Sequence, residues 1–271
     1  MRIKTALISV SDKSGLGSFA RALTELRVQI ISTGGTARTL EEEGVSVIRV
    51  SERTGFPEIL DGRVKTLHPR IHAGILARHA DPAHRQTLAE HDIGPIELVV
   101  VNIYPFPKSV ARPGVSREEA VEQIDIGGPT LVRAAAKNSD SVTIVVDPGD
   151  YPRVIAEMKA GKGSVPLPIR QELATKAFQH TAAYDTAIAT WMESSGSREE
   201  DQLPAALLLN LKQCATLRYG ENPHQRASLY SSGPPAELLA AKQHQGKDLS
   251  FSNLVDMDSA WALCREFDCS A

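Results

Sequence analysis

The chain has 271 residues, 42% of them hydrophobic, enough for one large domain or for one domain and part of another. Its formal net charge of −3 argues against a general nucleic-acid or membrane-surface binder, so any cationic site has to be local. Cys214, Cys264 and Cys269 lie late and lack metal-ligand spacing, which reads as reduced thiols in a cytosol.

Thr5 to Val10 is an apolar run that reads as a buried strand, not as a signal peptide, and no later run is long enough to span a membrane. Ser11-Asp12-Lys13-Ser14-Gly15 closes that strand and opens a helix, with Leu16, Phe19, Ala20, Leu23 and Leu26 at helical spacing. Residues 28–32 read as a second strand, the turn Ser32-Thr33-Gly34-Gly35-Thr36 follows, and a helix from Thr36 to Glu43 stops at Gly44. Residues 45–50 alternate as a third strand. After the turn-like Leu60-Asp61-Gly62 comes Arg63-Val64-Lys65-Thr66-Leu67-His68-Pro69. Residues 96–104 hold Leu98-Val99-Val100-Val101, a run best explained by cover on both faces of a strand. Ser116 with Glu119 makes a capping-box start for a short helix to Gln123. Asp125-Ile126-Gly127-Gly128-Pro129 leads into a helix carrying Arg133, Lys137 and Asn138. Another strand covers residues 142–146, with Asp150 placed to cap the next helix. Pro168 to Glu193 reads as one long helix with Leu173, Ala177, His180, Ala183, Tyr184 and Ala187 along one side, packing on the domain or on a partner subunit. Ser194 to Asp201 is polar and linker-like. The last helix, Met257 to Phe267, carries Met257, Ala260, Trp261, Cys264 and Phe267 on one stripe with nothing after it to cover them. Residues 203–271 therefore read as the opening of a second domain.

Strands alternating with helices imply an α/β fold: a parallel sheet with right-handed crossovers, and ligands beyond the carboxyl ends of its strands. The turns after Val10, Ser32 and Tyr104 should lie at that edge. Ser11-Asp12-Lys13-Ser14-Gly15 can present N–H groups and a lysine to a phosphate, or simply cap a helix. Thr33-Gly34-Gly35-Thr36 lets backbone approach an oxyanion, or merely turns, and lacks the full pattern of a nucleotide-triphosphate or dinucleotide loop. Arg63 and Lys65, one residue apart in a loop, suit an anion better than helix periodicity explains them. His68 and His72 have the i, i+4 spacing of a metal pair but no third ligand nearby, so capping or packing is preferred. Tyr104 is either a substrate contact or a strand-end aromatic. Asp125 before Gly-Gly combines a carboxylate with exposed donors. Lys137 sits among the short side chains Ala134-Ala135-Ala136; a plain surface lysine is the alternative.

The same segments resemble the bifunctional purine-biosynthesis family that joins an IMP cyclohydrolase domain to an AICAR transformylase domain. The resemblance runs through Ser9 to Lys13, Gly34-Gly35-Thr36, Gly62 to Pro69, His72 to Arg78, Asn102-Ile103-Tyr104-Pro105-Phe106, Glu122 to Gly128, Arg133 to Asn138 and Leu217 to Gln225. It implies a methylglyoxal-synthase-like α/β domain over 1–196, then a linker and the truncated start of the transformylase domain over 197–271. It also implies closure of 5-formamidoimidazole-4-carboxamide ribonucleotide (FAICAR) to IMP with loss of water. Ser11, Asp12, Lys13, Thr33, Gly34, Gly35 and Thr36 would hold phosphate and ribose. Arg63, Val64, Lys65, Thr66, Val101, Asn102, Tyr104, Asp125, Ile126 and Gly127 would surround the base. Lys137 would transfer a proton, with Asp125 as the second acid–base group, and Lys65 and Tyr104 would stabilise the reacting oxygen.

No metal or organic cofactor is expected for the closure. Arg218 and Tyr219 match AICAR-contacting residues, but the chain stops before the family's Lys-His pair, so formyl transfer from 10-formyltetrahydrofolate is not expected of this chain alone. The resemblance suggests a cytoplasmic homodimer acting on small nucleotides, with neither nucleic acid nor membrane as partner. Two rivals are a non-catalytic purine-nucleotide sensor on the same fold and methylglyoxal synthase itself. Tyr104, Asp125 and Lys137 favour the cyclohydrolase over the sensor, and Arg218 disfavours the synthase.

Overall fold

The computed structural model describes residues 2–112, 114–194, 206–233 and 240–267. The chain divides into two compact units, Met1–Arg198 and Glu199–Ala271. The linker reading from residue 195 onward, the 196/197 boundary and Cys269 fall outside the described residues.

The larger unit runs β1 (Thr5–Val10), α1 (Leu16–Glu25), β2 (Gln29–Ser32), α2 (Gly34–Glu42), β3 (Ile48–Arg49), α3 (Val50–Thr54), α4 (Pro69–Leu76) and α5 (Pro82–Glu90). It continues with β4 (Leu98–Asn102), α6 (Phe106–Val110), α7 (Arg117–Glu122), α8 (Gly127–Lys137), β5 (Thr143–Val145), α9 (Tyr151–Ala160) and α10 (Leu167–Ser194). The five strands pair in parallel in the order β3-β2-β1-β4-β5. The chain winds outward from β1 to β3, then returns to the other side of β1 as β4. That reversal makes the carboxyl ends of β1 and β4 the topological switch point, where open α/β sheets leave a ligand crevice.

Alternation along the strands divides the core into two layers. Ala6, Ile8 and Val10 of β1 and Leu98 and Val100 of β4 pack with Leu16, Phe19 and Leu23 of α1, Leu40 of α2 and Val154 of α9. Leu7, Val99 and Val101 face the other way, onto Ile71 and Ile75 of α4, Leu131 and Ala135 of α8 and Ala177 of α10. Every residue of β4 is buried, as its unbroken apolar run requires. Each such side chain stabilises the fold by roughly 1.5–3 kcal/mol. A third, smaller cluster joins Ile103, Phe106 and Tyr184, with Ile124, Ile188 and Trp191 against it.

In the larger unit the structure corrects local expectations at the third strand, the second helix and Asp150. Only Ile48 and Arg49 of the third strand pair, with Ile31 and Ser32, because β2 ends there; Val50 already begins α3. The second helix begins at Gly34, so both glycines lie in its opening turn. Asp150 provides no side-chain cap to α9; it accepts a hydrogen bond from Lys176 Nζ at 2.8 Å, while Asp147 accepts from Gly149 N at 2.8 Å. The capping box of Ser116 and Glu119 is present.

Tyr151 is buried against Phe19, ring centroids 4.3 Å apart, and its hydroxyl has no hydrogen-bond partner among the described residues. Burial pushes this phenol up to about 12, with the Asp12 and Asp147 charges adding to the effect. A raised folded-state value means the proton is held more tightly in the fold. The associated stability is present below the unfolded value and is lost as pH climbs from about 10 through about 12. Tyr151→Phe should therefore leave the melting temperature at pH 7 unchanged or higher, since an unpaired buried hydroxyl is removed, and should soften the alkaline loss. A drop of more than about 1 kcal/mol at pH 7 would show that the hydroxyl is paired after all.

In the smaller unit, β6 (Lys212–Thr216) and β7 (Ser228–Ser231) form an antiparallel pair, followed by α11 (Phe251–Cys264). This helix begins at Phe251 rather than Met257, because Ser250 and Asn253 form a second capping box. Trp261 and Phe267 are exposed.

Candidate functional site

The switch point is braced by side chains before any ligand is considered. Asn102, the last residue of β4, accepts hydrogen bonds from Ser11 N at 2.7 Å and Asp12 N at 2.8 Å, and its Nδ2 donates to Asp12 O at 3.0 Å. Its amide thus fixes the turn after β1. Asp12 accepts from Ser14 N at 2.9 Å, and its hydrogen bonds to Ser14 hold the carboxyl below its usual range. Thr36 of α2 accepts from Val10 N and donates to Val10 O, both at 3.0 Å. Ser11, Asp12 and Lys13 are exposed in the turn these contacts define.

The opening turn of α2 has no side-chain cap; the buried Thr33 hydroxyl lies 3.3 Å from Ser9 Oγ instead. Its first N–H groups are left for another acceptor. A Cβ on Gly34 would sit 3.9 Å from Lys65 Nζ, and one on Gly35 would sit 3.8 Å from Lys13 Nζ. Two ammonium groups therefore converge on a helix N-terminus whose partial charge is also positive. An anion would complement that arrangement.

The segment carrying Lys65 leads from α2 to the start of α8. It is shaped by the Leu60–Gly62 turn, where Asp61 has φ 54, and by an antiparallel bridge between Ile59 and Val64. Thr66 is buried, and a Cβ on Gly127 would lie 2.8 Å from its Oγ1. Burial pulls the His72 imidazole down, with the Thr66 backbone opposing. His68 Nδ1 accepts from Arg70 N at 3.1 Å and so caps α4, with Pro69 in its first turn. Both histidines thus serve the local frame. Arg63 faces Glu122 at 3.4 Å with both side chains exposed, a contact worth under about 1 kcal/mol.

At α8, Asp125 Oδ1 accepts from Gly128 N at 3.0 Å, and a Cβ on Gly128 would strike Asp125 Oδ2. Ile126 and Tyr104 are exposed, 61% and 51%, on the neighbouring loops. The sequence-derived set thus gathers at one edge, with two exceptions. Val101 is sealed in the core, so its side chain offers a ligand no surface. Lys137 is the last residue of α8, roughly 15 Å along the axis from Gly127 at 1.5 Å per residue. Asn138 beside it donates to Ile75 O and Ala77 O, and Thr143 just beyond pairs with Leu98, the first residue of β4. Lys137 is therefore exposed at the amino edge of the sheet, apart from Asp125.

A cavity of about 290 Å³ also lies at the amino edge, lined by Arg2, Glu25, Arg27, Lys159 and Lys162. Its cations complement the carbonyl ends of α1 and α9. In the smaller unit, the Arg218 guanidinium stacks 4.8 Å from the Tyr219 ring centre and donates to its hydroxyl at 3.2 Å. Sequence reading missed Tyr184, whose hydroxyl accepts from Asp125 N at 2.7 Å, because its spacing signalled packing alone.

These features define a doubly wound α/β domain with helix N-termini and lysines gathered at its switch point. Residues 15–130 match the MGS-like domain model. Residues 135–271 match the model of the AICARFT/IMPCHase bienzyme, and the chain belongs to that family. It is 50% identical over 277 residues to the bifunctional purine biosynthesis protein PurH of Neisseria meningitidis, covering 99% of this chain and 52% of that protein. The PurH proteins of Magnetococcus marinus and Bacillus subtilis are 49% and 50% identical, each over 98% of this chain and over 51% and 52% of theirs. The chain thus spans about half the length of the curated relatives it matches. The crystal structure of ForH is similar with a TM-score of 0.66 and 38% identity, over 72% of this chain and 100% of that one.

Proposed function

We propose that the larger unit is an IMP cyclohydrolase that closes FAICAR to IMP with loss of water. The observation that carries this reading is the pairing of Lys13 and Lys65 over Gly34-Gly35, linked through Thr66 to Gly127 and Asp125. The names of the family and of its relatives agree with it. The 5′-phosphate takes the opening of α2, and the base lies toward Tyr104 and the opening of α8. The carboxamide nitrogen is a poor nucleophile, but it attacks a formyl carbon on the same molecule. Fixing the rotamer that aligns the two removes much of the barrier.

As the C–N bond forms, negative charge grows on the formyl oxygen, where Lys65, Tyr104 and the N–H groups at Gly127 are the available stabilisers. Asp125 takes the proton leaving the carboxamide nitrogen and passes it to the oxyanion, giving a hydroxyl. The formamide N–H then gives up its proton as the C–O bond breaks and a C=N bond forms, so the oxygen leaves as water with one hydrogen from each nitrogen. Only protons and water are exchanged, so the reaction as proposed proceeds without a cofactor. Lys137, at the other end of α8, has no part in this path.

In the smaller unit, the stacked Arg218–Tyr219 pair is proposed to contact AICAR, the substrate of the family's other activity. The ligands are small nucleotides, and the setting we infer is the cytoplasm. Among the described residues, no helix is long and apolar enough to cross a membrane. The test is to mix purified protein with FAICAR and follow IMP by absorbance, where saturable turnover is expected. IMP binding by calorimetry without any turnover would replace the enzyme with a nucleotide sensor.

A further inference from the structure

We propose that α10 is the positioning element of this site, with Tyr184 and His180 holding the backbone of the two segments that present Asp125 and Tyr104. The inference rests on the cyclohydrolase reading. Tyr184 Oη accepts from Asp125 N at 2.7 Å, and His180 Nε2 accepts from Ile103 N at 3.3 Å. Residues four apart lie on one helix face. Four residues earlier on the same face, Lys176 Nζ donates to Asp147 at 2.6 Å and Asp150 at 2.8 Å, fixing the turn after β5. One stripe of one helix therefore reaches three loops at the carboxyl edge.

The packing shows why such a clamp is needed. Tyr104 and Asp125 are exposed and lie in loops that no strand pairing holds. Their buried neighbours do the anchoring. Ile103, Phe106 and Ile124 pack with Tyr184, Ile188 and Trp191 in a cluster separate from both main core layers, with Phe106 and Trp191 edge to face at 5.4 Å. The orientation of the Asp125 carboxylate is set by its bond to Gly128 N and by its own backbone, whose N–H is the one Tyr184 holds. Burial pushes the Tyr184 phenol up, so it stays a neutral hydroxyl able to accept that bond. Tyr184 and His180 touch no reacting atom in this scheme. They fix the separation of the groups that do.

The alternative is that the stripe only packs, and Tyr184→Phe separates the two, because it keeps the ring and removes only the hydroxyl. With the full chain and FAICAR, Tyr184→Phe should lower kcat by about 10- to 100-fold while KM stays within about threefold. His180→Gln keeps an acceptor near the Nε2 position and should retain most of kcat, whereas His180→Met should lose about tenfold. Circular dichroism should show all three folded. A Tyr184→Phe kcat within about twofold of wild type, or equal losses for His180→Gln and His180→Met, would overturn the proposal. If the wild-type chain itself makes no IMP, the cyclohydrolase reading fails, and hydrogen exchange then judges the clamp alone. Asp125 N–H should exchange faster in Tyr184→Phe than in wild type, and an unchanged rate would remove the clamp.

Discussion

Lys65→Ala is expected to reduce cyclisation turnover by about 10²- to 10³-fold, the scale of losing one charged stabiliser from a preorganised site. The fold should survive, because Lys65 is exposed and makes no hydrogen bond or ion pair among the described residues. Its ammonium leans toward Gly34, while the next residue, Thr66, touches Gly127, so Lys65 stands between the phosphate end and the reacting end. That position separates it from its two cationic neighbours. Lys13 leans toward Gly35, and Lys13→Ala should chiefly raise KM, because a phosphate contact is equally strong in ground and transition states. Arg63 is already engaged with Glu122 at the surface, so its loss should cost least. Steady-state kinetics on the three variants with melting curves checks the order. A Lys65→Ala enzyme with near wild-type kcat would remove Lys65 from the chemistry.

The sheet was legible in the sequence because its signal is strong. Leu98 to Val101 can only be a strand covered on both faces, and Leu16, Phe19 and Leu23 fix one side of α1. Short helices without a capping box were not legible, whereas α7 was, through Ser116 and Glu119. α3 and α6 have five residues each, too few for a hydrophobic period to register, and α4 starts from a histidine cap and a proline rather than from a serine or aspartate. The alternation over residues 45–50 imitated a longer strand than β2 could pair.

At the site, residue types were readable but their commitments were not. Thr36 was expected at the phosphate and ribose and Asn102 at the base, yet both spend their side chains on the backbone after β1. Lys137 lies on the helix that follows Asp125, but eleven helical residues stand between that carboxylate and the amino edge. His180 and Tyr184 had the spacing of a packing stripe; what spacing cannot show is that their polar atoms end on the backbone of two loops distant in sequence.

Gly128→Ala should also be damaging, and its effect should fall on catalysis rather than stability. Gly128 is buried in the first turn of α8 and its φ is not in the left-handed region, so the backbone accepts alanine. Helix propensity alone would favour the substitution by up to about 1 kcal/mol. The obstacle is Asp125, whose Oδ2 occupies the place a Cβ needs. The carboxylate has to swing out, weakening its bond to Gly128 N, and a lost hydrogen bond costs about 1 kcal/mol. The two stability terms nearly cancel, so the melting temperature should barely move. The proton-transfer group, however, leaves its place, and kcat should fall about 10- to 100-fold. Asp125→Asn provides the complement: it keeps an oxygen to accept from Gly128 N, so that bond persists, but it removes the base and should cost about 10²- to 10⁴-fold. Equal melting temperatures with both activities reduced would place the loss in the chemistry. Wild-type kcat in Gly128→Ala would mean that the position of Asp125 is immaterial, and the proton path through it would have to be given up.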